Sequence, residues 1–548
     1  MRHDVSGMRV RLTDALTRER TAKGEWRDRT IVQLAQDLVR QQPDRILMIE
    51  GDTRLIVREV WDEALALAAA LIAHGLKQGD VVAMQLPNWP ETIVIYLAAS
   101  MAGLILNPVL PILREREVQF MLRDSRARML FVPGEFRNFD YITMAETLAV
   151  DLPDLENIVV LRGDAGRHVA WNTLMASGDL STPLPMVDPN AVKILMYTSG
   201  TTGQPKGVMH THNTLQAEVR SYVDFWRMTS RDVIFMASPV SHITGCLIAF
   251  ELPWLIGAPV VLQEKWDAHA AIDLFIEHGV TFTSSSTPFL RELLDTAKAK
   301  GLHLERFTRF VCGGMTIPSQ LIRDAHDWFP NAVVGRCFGM SELPSITLAI
   351  STRAQIDLGA ETHGSIAPGV EGRVCDPDSG GLLAMGEEGE ILARAPEQFV
   401  GYHRAGDNDG AVDEDGYFLT GDLGRLTIDN CLVITGRKKD LIIRGGENLS
   451  PKEIEDELLR HPAIAEVAVV AMPHPRLGEG VSCFVVPVAG LSVDIGDVSR
   501  FLIQAKIAKQ KIPERVVMVP ALPRNFQGKI LKNELKEQMR RICEGADG

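Results

Sequence analysis

Residues Tyr197–Gly207 read YTSGTTGQPKG: four serine or threonine hydroxyls, three glycines, a proline and a lysine in eleven positions. So little of this run is apolar that neither a packed helix nor a core strand can be built from it. Immediately before it, AVKILMYT (Ala191–Thr198) reads as a buried strand, so the run is a polar loop leaving a strand end. Glycines let backbone amides approach an anion closely, hydroxyls add donors and Lys206 adds positive charge; together they suit a polyphosphate. The Walker order GxxxxGK[ST] is absent, because Lys206 follows Pro205 and precedes Gly207. Taken alone, the loop is better read as a flexible surface turn.

Outward from this loop the chain reads as α/β. EVWDEALALAAALIAHGL (Glu59–Leu76) and ETIVIYLAASMAG (Glu91–Gly103) have helical patterns, with Gly75 placed to close the first. DVVAMQL (Asp80–Leu86), ARMLFV (Ala127–Val132), NIVVL (Asn157–Leu161) and APVVLQ (Ala258–Gln263) read as strands. Alternation of strands and helices predicts largely parallel sheets with helices on their faces. From Gly380 to Ile434 short strands and turns dominate. Near Gly436 a charged break leads into a compact α+β unit containing LIIR (Leu441–Arg444) and AEVAVVAM (Ala465–Met472). Its first helix is predicted at Pro451, with Ser450 and Glu453 in a capping-box pattern. The expected division is a large N-terminal domain, 1–438, with mixed, largely parallel sheets and a β-rich subdomain, and a small mobile α+β domain, 439–548.

Bulk properties narrow the function. A chain of 548 residues exceeds a single core. A net charge of −14 argues against nucleic acid and against stable attachment to an anionic membrane. The seven cysteines are unpatterned, which fits reduced thiols in the cytoplasm. The charged N-terminal segment lacks the apolar core of a secretory signal. The run CLIAFELPWLIGAPVVL from Cys246 is interrupted by Glu251 and Pro253, so it reads as buried core.

The polar loop has companions in a fixed order: CFGMSE (Cys337–Glu342), YFLTGDLG (Tyr417–Gly424), GRKKDLIIRGGE (Gly436–Glu447) and PRNFQGK (Pro523–Lys529). With these, nearly the whole chain resembles the adenylate-forming superfamily of acyl- and aryl-CoA synthetases, peptide-synthetase adenylation domains and luciferases. Within it, the sequence most resembles short- and medium-chain or alicyclic acyl-CoA ligases such as cyclohexanecarboxylate-CoA ligase. The resemblance implies an AMP-forming acid–thiol ligase with ATP, Mg2+ and coenzyme A. A carboxylate attacks the α-phosphorus to give an acyl-adenylate and pyrophosphate, and a thiol then displaces AMP. Bringing a carboxylate to a polyphosphate is electrostatically costly: two unit charges 4 Å apart repel by about 4 kcal/mol at an effective dielectric near 20. Metal, amide donors and lysines are therefore needed together.

Carried over residue by residue, the resemblance assigns Thr198, Ser199, Gly200, Thr201, Thr202 and Gly203 to the β- and γ-phosphates, with Lys206 beside them unless it is simply a solvated loop lysine. Gly313, Gly314 and Met315 of CGGMTIP (Cys312–Pro318) line the adenine and acyl pockets. Phe338 stands where relatives have tyrosine and packs on adenine, followed by Gly339, Met340 and Ser341, the last replacing threonine. Glu342 is the metal ligand. Asp422 accepts from the ribose hydroxyls and Arg437 adds a ribose or phosphate contact, with an interdomain salt bridge as the alternative for either. Lys439 is the hinge about which the small domain turns, bringing Gly445 and Gly446 to the thiol tunnel. Lys529 neutralises the carboxylate and α-phosphate in the first step. LIVREV (Leu55–Val60) replaces the usual Leu-Thr-Tyr, a change of packing rather than chemistry.

SPVSHITGCL (Ser238–Leu247) resembles the acyl-pocket segment, with His242 as wall or, alternatively, as packed core. Amino-acid-activating relatives carry an aspartate there and hydroxybenzoate-activating ones an asparagine after the histidine-like position; this chain has neither. A medium-chain or alicyclic acid is therefore expected, with Thr244, Gly245, Cys246, Cys312 and Gly313 leaving room and Phe289 on the opposite wall. An aryl-acid adenylating enzyme that loads carrier-protein phosphopantetheine is the alternative. A homodimer, and a lysine acetyltransferase acting on Lys529, are partners left open.

Overall fold

The structure, a computed structural model, describes residues 2–198, 204–314, 317–524 and 529–545. The chain divides into two compact units, 1–371 with 394–418, and 372–393 with 419–548. The first unit is built on two sheets. One runs in the order Val169–Ala170, Asn157–Leu161, Met129–Pro133, Val81–Met84, Ile105–Pro108, Val192–Thr198, Lys206–Thr211, Gly401–Tyr402. Its strands are parallel up to Val192–Thr198, after which the last two pairings are antiparallel. The other sheet has seven strands, from Val333–Arg336 through Arg309–Cys312 to Ile46–Glu50, all parallel except the antiparallel edge Thr53–Ile56.

Helices Val57–Ala73 and Glu91–Met101 follow the predicted patterns. The second is apolar nearly all round and correspondingly buried from Thr92 to Met101. The apolar run after Cys246 lies in the core as a π-helical turn, Cys246–Glu251, followed by a short helix, Leu252–Ile256. Glu251 within this turn is buried at 1% exposure and is compensated there by Lys193 and the Tyr96 hydroxyl. The Lys193 ammonium also sits 4.2 Å from the Tyr96 ring centroid. Among the described residues no helix is long and apolar enough to cross a membrane.

The second unit carries a four-stranded sheet, Glu371–Cys375, Gly389–Arg394, Phe418–Leu426 and Leu432–Arg437. It continues into a five-stranded sheet centred on the long hairpin Ile464–His474 and Gly478–Pro487, with helices Pro451–Leu458, Ile495–Gln504 and Lys532–Glu544. The helix at Pro451 starts where predicted, but the capping box does not form. Ser450 Oγ donates to Thr435 O at 2.5 Å, and Glu453 pairs with Lys511. Tertiary partners have taken both side chains from the local motif.

Candidate functional site

The polar loop joins two antiparallel strands, with Thr198 and Lys206 as register partners at its two ends. Ser199, Gly200, Thr201, Thr202 and Gly203 lie outside the described residues, as does Met315. The two rims of the loop are held by different carboxylates, Asp124 on the Tyr197 side and Asp407 on the Lys206 side. The Tyr197 hydroxyl donates to Asp124 Oδ2 at 2.8 Å, and Arg404 Nε donates to Asp124 Oδ1 at 2.7 Å. Lys206 reaches Asp407 at 3.7 Å and lies 4.8 Å from the Tyr402 ring centroid.

Phe338–Met340 and Leu343–Leu348 form a hairpin whose connecting residues are Ser341 and Glu342, both buried. The Phe338 N–H donates to Thr347 Oγ1 at 2.8 Å, fixing the start of the hairpin. The turn is then pinned three times. His210 Nε2 donates to Ser341 O at 2.7 Å, the Phe399 N–H donates to Glu342 O at 2.7 Å, and the Tyr402 hydroxyl donates to Glu342 Oε1 at 2.6 Å. Burial pushes the His210 imidazole down to about 4, so it serves as a neutral donor. Burial, and after it the Glu342 charge, push the Tyr402 phenol above its ordinary value, which keeps its proton on oxygen.

The donor set fits a magnesium ion in a restricted sense. Glu342 offers a hard oxygen ligand oriented by a neutral phenol, and Mg2+ keeps several waters while sharing substrate phosphates. Among the described residues no group of three or more His, Cys, Asp or Glu side chains could cage a metal. A single carboxylate acting with a nucleotide is the arrangement such residues allow.

In the acyl-pocket segment, Gly245 does not leave the room expected of it: an added Cβ would meet Pro239 O at 2.3 Å, so on that side the glycine serves close backbone packing. The space beside Gly313 is likewise filled, by Cys337 Sγ, 2.6 Å from the Cβ position. Cys246 is fully buried and its thiol donates to Val240 O. Phe289 borders a hollow with Trp266, Phe235, Thr283 and Ser285, about 10 Å3, room for one water. His242 is partly buried; its Nδ1 accepts from the Thr244 N–H at 3.3 Å, and burial pushes its pKa down to about 4. It is a neutral group in this segment.

In the second unit Asp422, at 3% exposure, pairs with Arg437, Nε to Oδ1 at 2.8 Å. Burial raises the Asp422 pKa and Arg437 opposes the rise. Asp422 and Arg437 thus face each other within one unit, from partner positions of neighbouring strands. Lys529 has its charge coupled to Arg437, Asp422, Lys439 and Asp440. Its surface area is that of an exposed residue, yet protein atoms crowd the ammonium; this desolvation, then the Arg437 charge, push its pKa down to about 8. Lys439 lies in the short helical turn Lys438–Asp440, and desolvation lowers its pKa. Gly445 and Gly446, with φ of 60° and 91°, make the turn between strands Ile442–Arg444 and Glu447–Leu449. Those left-handed angles explain the paired glycines.

Sequence reading did not find His210, Asp124, Tyr402 or Asp407. His210 stands in the polar run VMHTHNT, whose residues His210 to Thr214 are almost entirely buried. Its partner Ser341 is 131 positions away. Polarity after a strand suggests solvent, and only the long-range partners reveal otherwise.

The comparisons with known proteins agree with this architecture. The AMP-binding enzyme family matches residues 35–403, and the AMP-binding enzyme C-terminal domain matches 453–529. The medium-chain fatty-acid–CoA ligase of Escherichia coli (strain K12) is 34% identical over 98% of this chain and 96% of its own length. The salicyl-AMP ligase / salicyl-S-ArCP synthetase of Mycobacterium tuberculosis is 31% identical over 94% of this chain and 92% of its own. ATP-bound MatB from Rhodopseudomonas palustris superposes with a TM-score of 0.82 at 28% identity, covering 93% of this chain and 99% of that one. The chain belongs to the AMP-binding, adenylate-forming enzyme family, as an AMP-forming ligase of the acyl-CoA ligase type.

Proposed function

We propose that this enzyme activates a medium-chain or alicyclic carboxylic acid with Mg-ATP and transfers the acyl group to coenzyme A, releasing AMP and pyrophosphate. The observation that carries the reading is the convergence on one phenol of Lys206, from the end of the polar loop, and Glu342, from the buried hairpin turn. The substrate class is supported by the 34% identity to a medium-chain fatty-acid–CoA ligase across almost the full length of both chains.

Thr198, Ser199, Gly200, Thr201, Thr202, Gly203 and Lys206 cradle the β- and γ-phosphates, while Phe338, Gly339 and Gly314 border the adenine. Magnesium, when bound with help from Glu342, supplies further neutralisation of the triphosphate. Lys529 offsets the negative charge that builds as the carboxylate meets the α-phosphorus, and a compact, mobile ammonium suits that task. Asp422 and Arg437 contact the ribose. Lys439 is the pivot between 1–438 and 439–548. Its neighbour Lys438 is anchored to Glu390 and to Pro377 O, each at 2.8 Å, which leaves the following residue to absorb a rotation. The Gly445–Gly446 turn then serves the thiol step. The free cysteines fit a cytoplasmic enzyme.

The second reading, transfer to a carrier-protein phosphopantetheine, is favoured by the 31% identity to a salicyl-AMP ligase / salicyl-S-ArCP synthetase. A panel of carboxylic acids scored for AMP release, with and without coenzyme A, decides between them. Medium-chain acids whose AMP release is strongly stimulated by free coenzyme A are expected. Stimulation only by a phosphopantetheinyl carrier would overturn the reading.

A further inference from the structure

Tyr402 belongs to none of the motifs that mark the nucleotide site, yet it touches two of their side chains. Its hydroxyl donates to Glu342 Oε1 at 2.6 Å, and its ring lies 4.8 Å from the Lys206 ammonium, inside cation–π reach. We propose that Tyr402 is a positioning residue for adenylation, holding the carboxylate and the lysine at a fixed separation through opposite parts of one side chain. The proposal rests on the adenylation reading above.

A neutral phenol suits both tasks. A cation beside Glu342 would offset the negative charge that a metal requires, whereas a phenol orients the oxygen and leaves that charge in place. The ring face attracts the ammonium without cancelling it, so Lys206 is placed while still charged. The longer 3.7 Å contact to Asp407 leaves the lysine room to turn towards a phosphate.

Tyr402 is itself firmly placed. Its backbone N–H donates to Asn408 Oδ1 at 2.9 Å, and Asn408 Nδ2 donates back to Tyr402 O at 2.8 Å. Tyr402 is the register partner of Val208, two residues beyond Lys206 on the neighbouring strand. The Phe399 ring abuts its ring edge-on at 4.8 Å. Phe399 also donates its N–H to Glu342 O, so the segment that carries Tyr402 is tied to the Glu342 turn through backbone as well as side chain.

Tyr402→Phe removes the hydroxyl and keeps the ring; Tyr402→Leu removes both. In the full chain, ATP affinity is measured by calorimetry in EDTA, Mn2+ binding to the ATP complex by the electron paramagnetic resonance of free Mn2+, and adenylation by acid-dependent ATP–pyrophosphate exchange. The Phe variant is expected to weaken Mn2+ binding by about 10–100-fold, the usual cost of losing an outer-shell partner, with metal-free ATP affinity unchanged. The Leu variant is expected to lose metal-free ATP affinity as well. If the Leu variant fails to fold, Lys206→Met replaces it and must lower metal-free ATP affinity where Tyr402→Phe does not. Parent-like Mn2+ binding by the Phe variant, or identical losses in both variants, overturns the proposal. A parent enzyme that binds Mn2+ and ATP but lacks acid-dependent exchange instead overturns the adenylation reading, while the two titrations still judge Tyr402.

Discussion

The Glu342 turn and the Lys529 cluster hold their charged groups by opposite means. Around Glu342 the fixing groups are neutral: the His210 imidazole, the Phe399 amide and the Tyr402 phenol, all on or beside strands of the first unit. Around Lys529 the neighbours are charges, Asp422, Arg437, Lys439 and Asp440, and the lysine remains exposed by area. Neutral hydrogen bonds set direction and leave the charge of the held group intact. Around Lys529, desolvation and after it a mixed-sign cluster set how strongly the lysine keeps its proton. The first arrangement suits a group needed in one place, and the second a group whose charge matters during one step.

The largest effect is expected for Lys529→Ala. Acyl-adenylate formation is expected to fall by about 10²–10³-fold, the scale for removing one transition-state partner. Thioester formation from supplied acyl-adenylate should survive much better, and equal losses in both half-reactions would sink the assigned role. Lys439→Pro should act in reverse by restricting rotation at the pivot. Rapid-quench measurements should find adenylation retained and thioester formation severely slowed; parent rates in the second step would refute the pivot.

A smaller effect is expected at Gly245. With its Cβ position 2.3 Å from Pro239 O, Gly245→Leu should destabilise the first unit by about 1–3 kcal/mol, or more if the backbone cannot shift. Thermal melting checks this. A Leu variant as stable as the parent, with preference shifted to shorter acids, would restore Gly245 as a pocket residue.

The subtlest test is the proton on Lys529. With its pKa near 8 rather than the ordinary 10.5, the nucleotide-free enzyme should expose a neutral amine above about pH 8. Amine-selective acetylation followed by peptide mass spectrometry should rise at this lysine with a midpoint near 8, and a midpoint near 10.5 would exclude the crowded environment. Between the two values the unfolded chain binds more protons, so this group's contribution to stability increases as pH rises through that window.

Elements with one dominant local signal were legible in the sequence. Asn157–Leu161 and the helix at Glu91 were found because four apolar residues in a row, Ile158–Leu161, and the apolar stretch Ile93–Ala99 leave few alternatives. The ordered motifs likewise led to the strand ends and turns where the candidate site lies. Local pattern failed where a distant partner outcompeted it. Thr435 O took the Ser450 hydroxyl, a carbonyl rather than a ligand filled the space at Gly245, and the His210 imidazole was buried by a hairpin turn far along the chain. Tyr402 was missed because neither of its two contacts has a signature in neighbouring residues.

The buried pair of Lys193 and Glu251, the latter closing the turn Cys246–Glu251, limits how this part of the chain can diverge. Replacing either residue alone strands an uncompensated charge in the interior, whereas replacing both by apolar groups of similar volume can be neutral or even favourable. Descendants of this sequence must therefore cross a two-step valley, and Lys193 and Glu251 should be retained together or lost together.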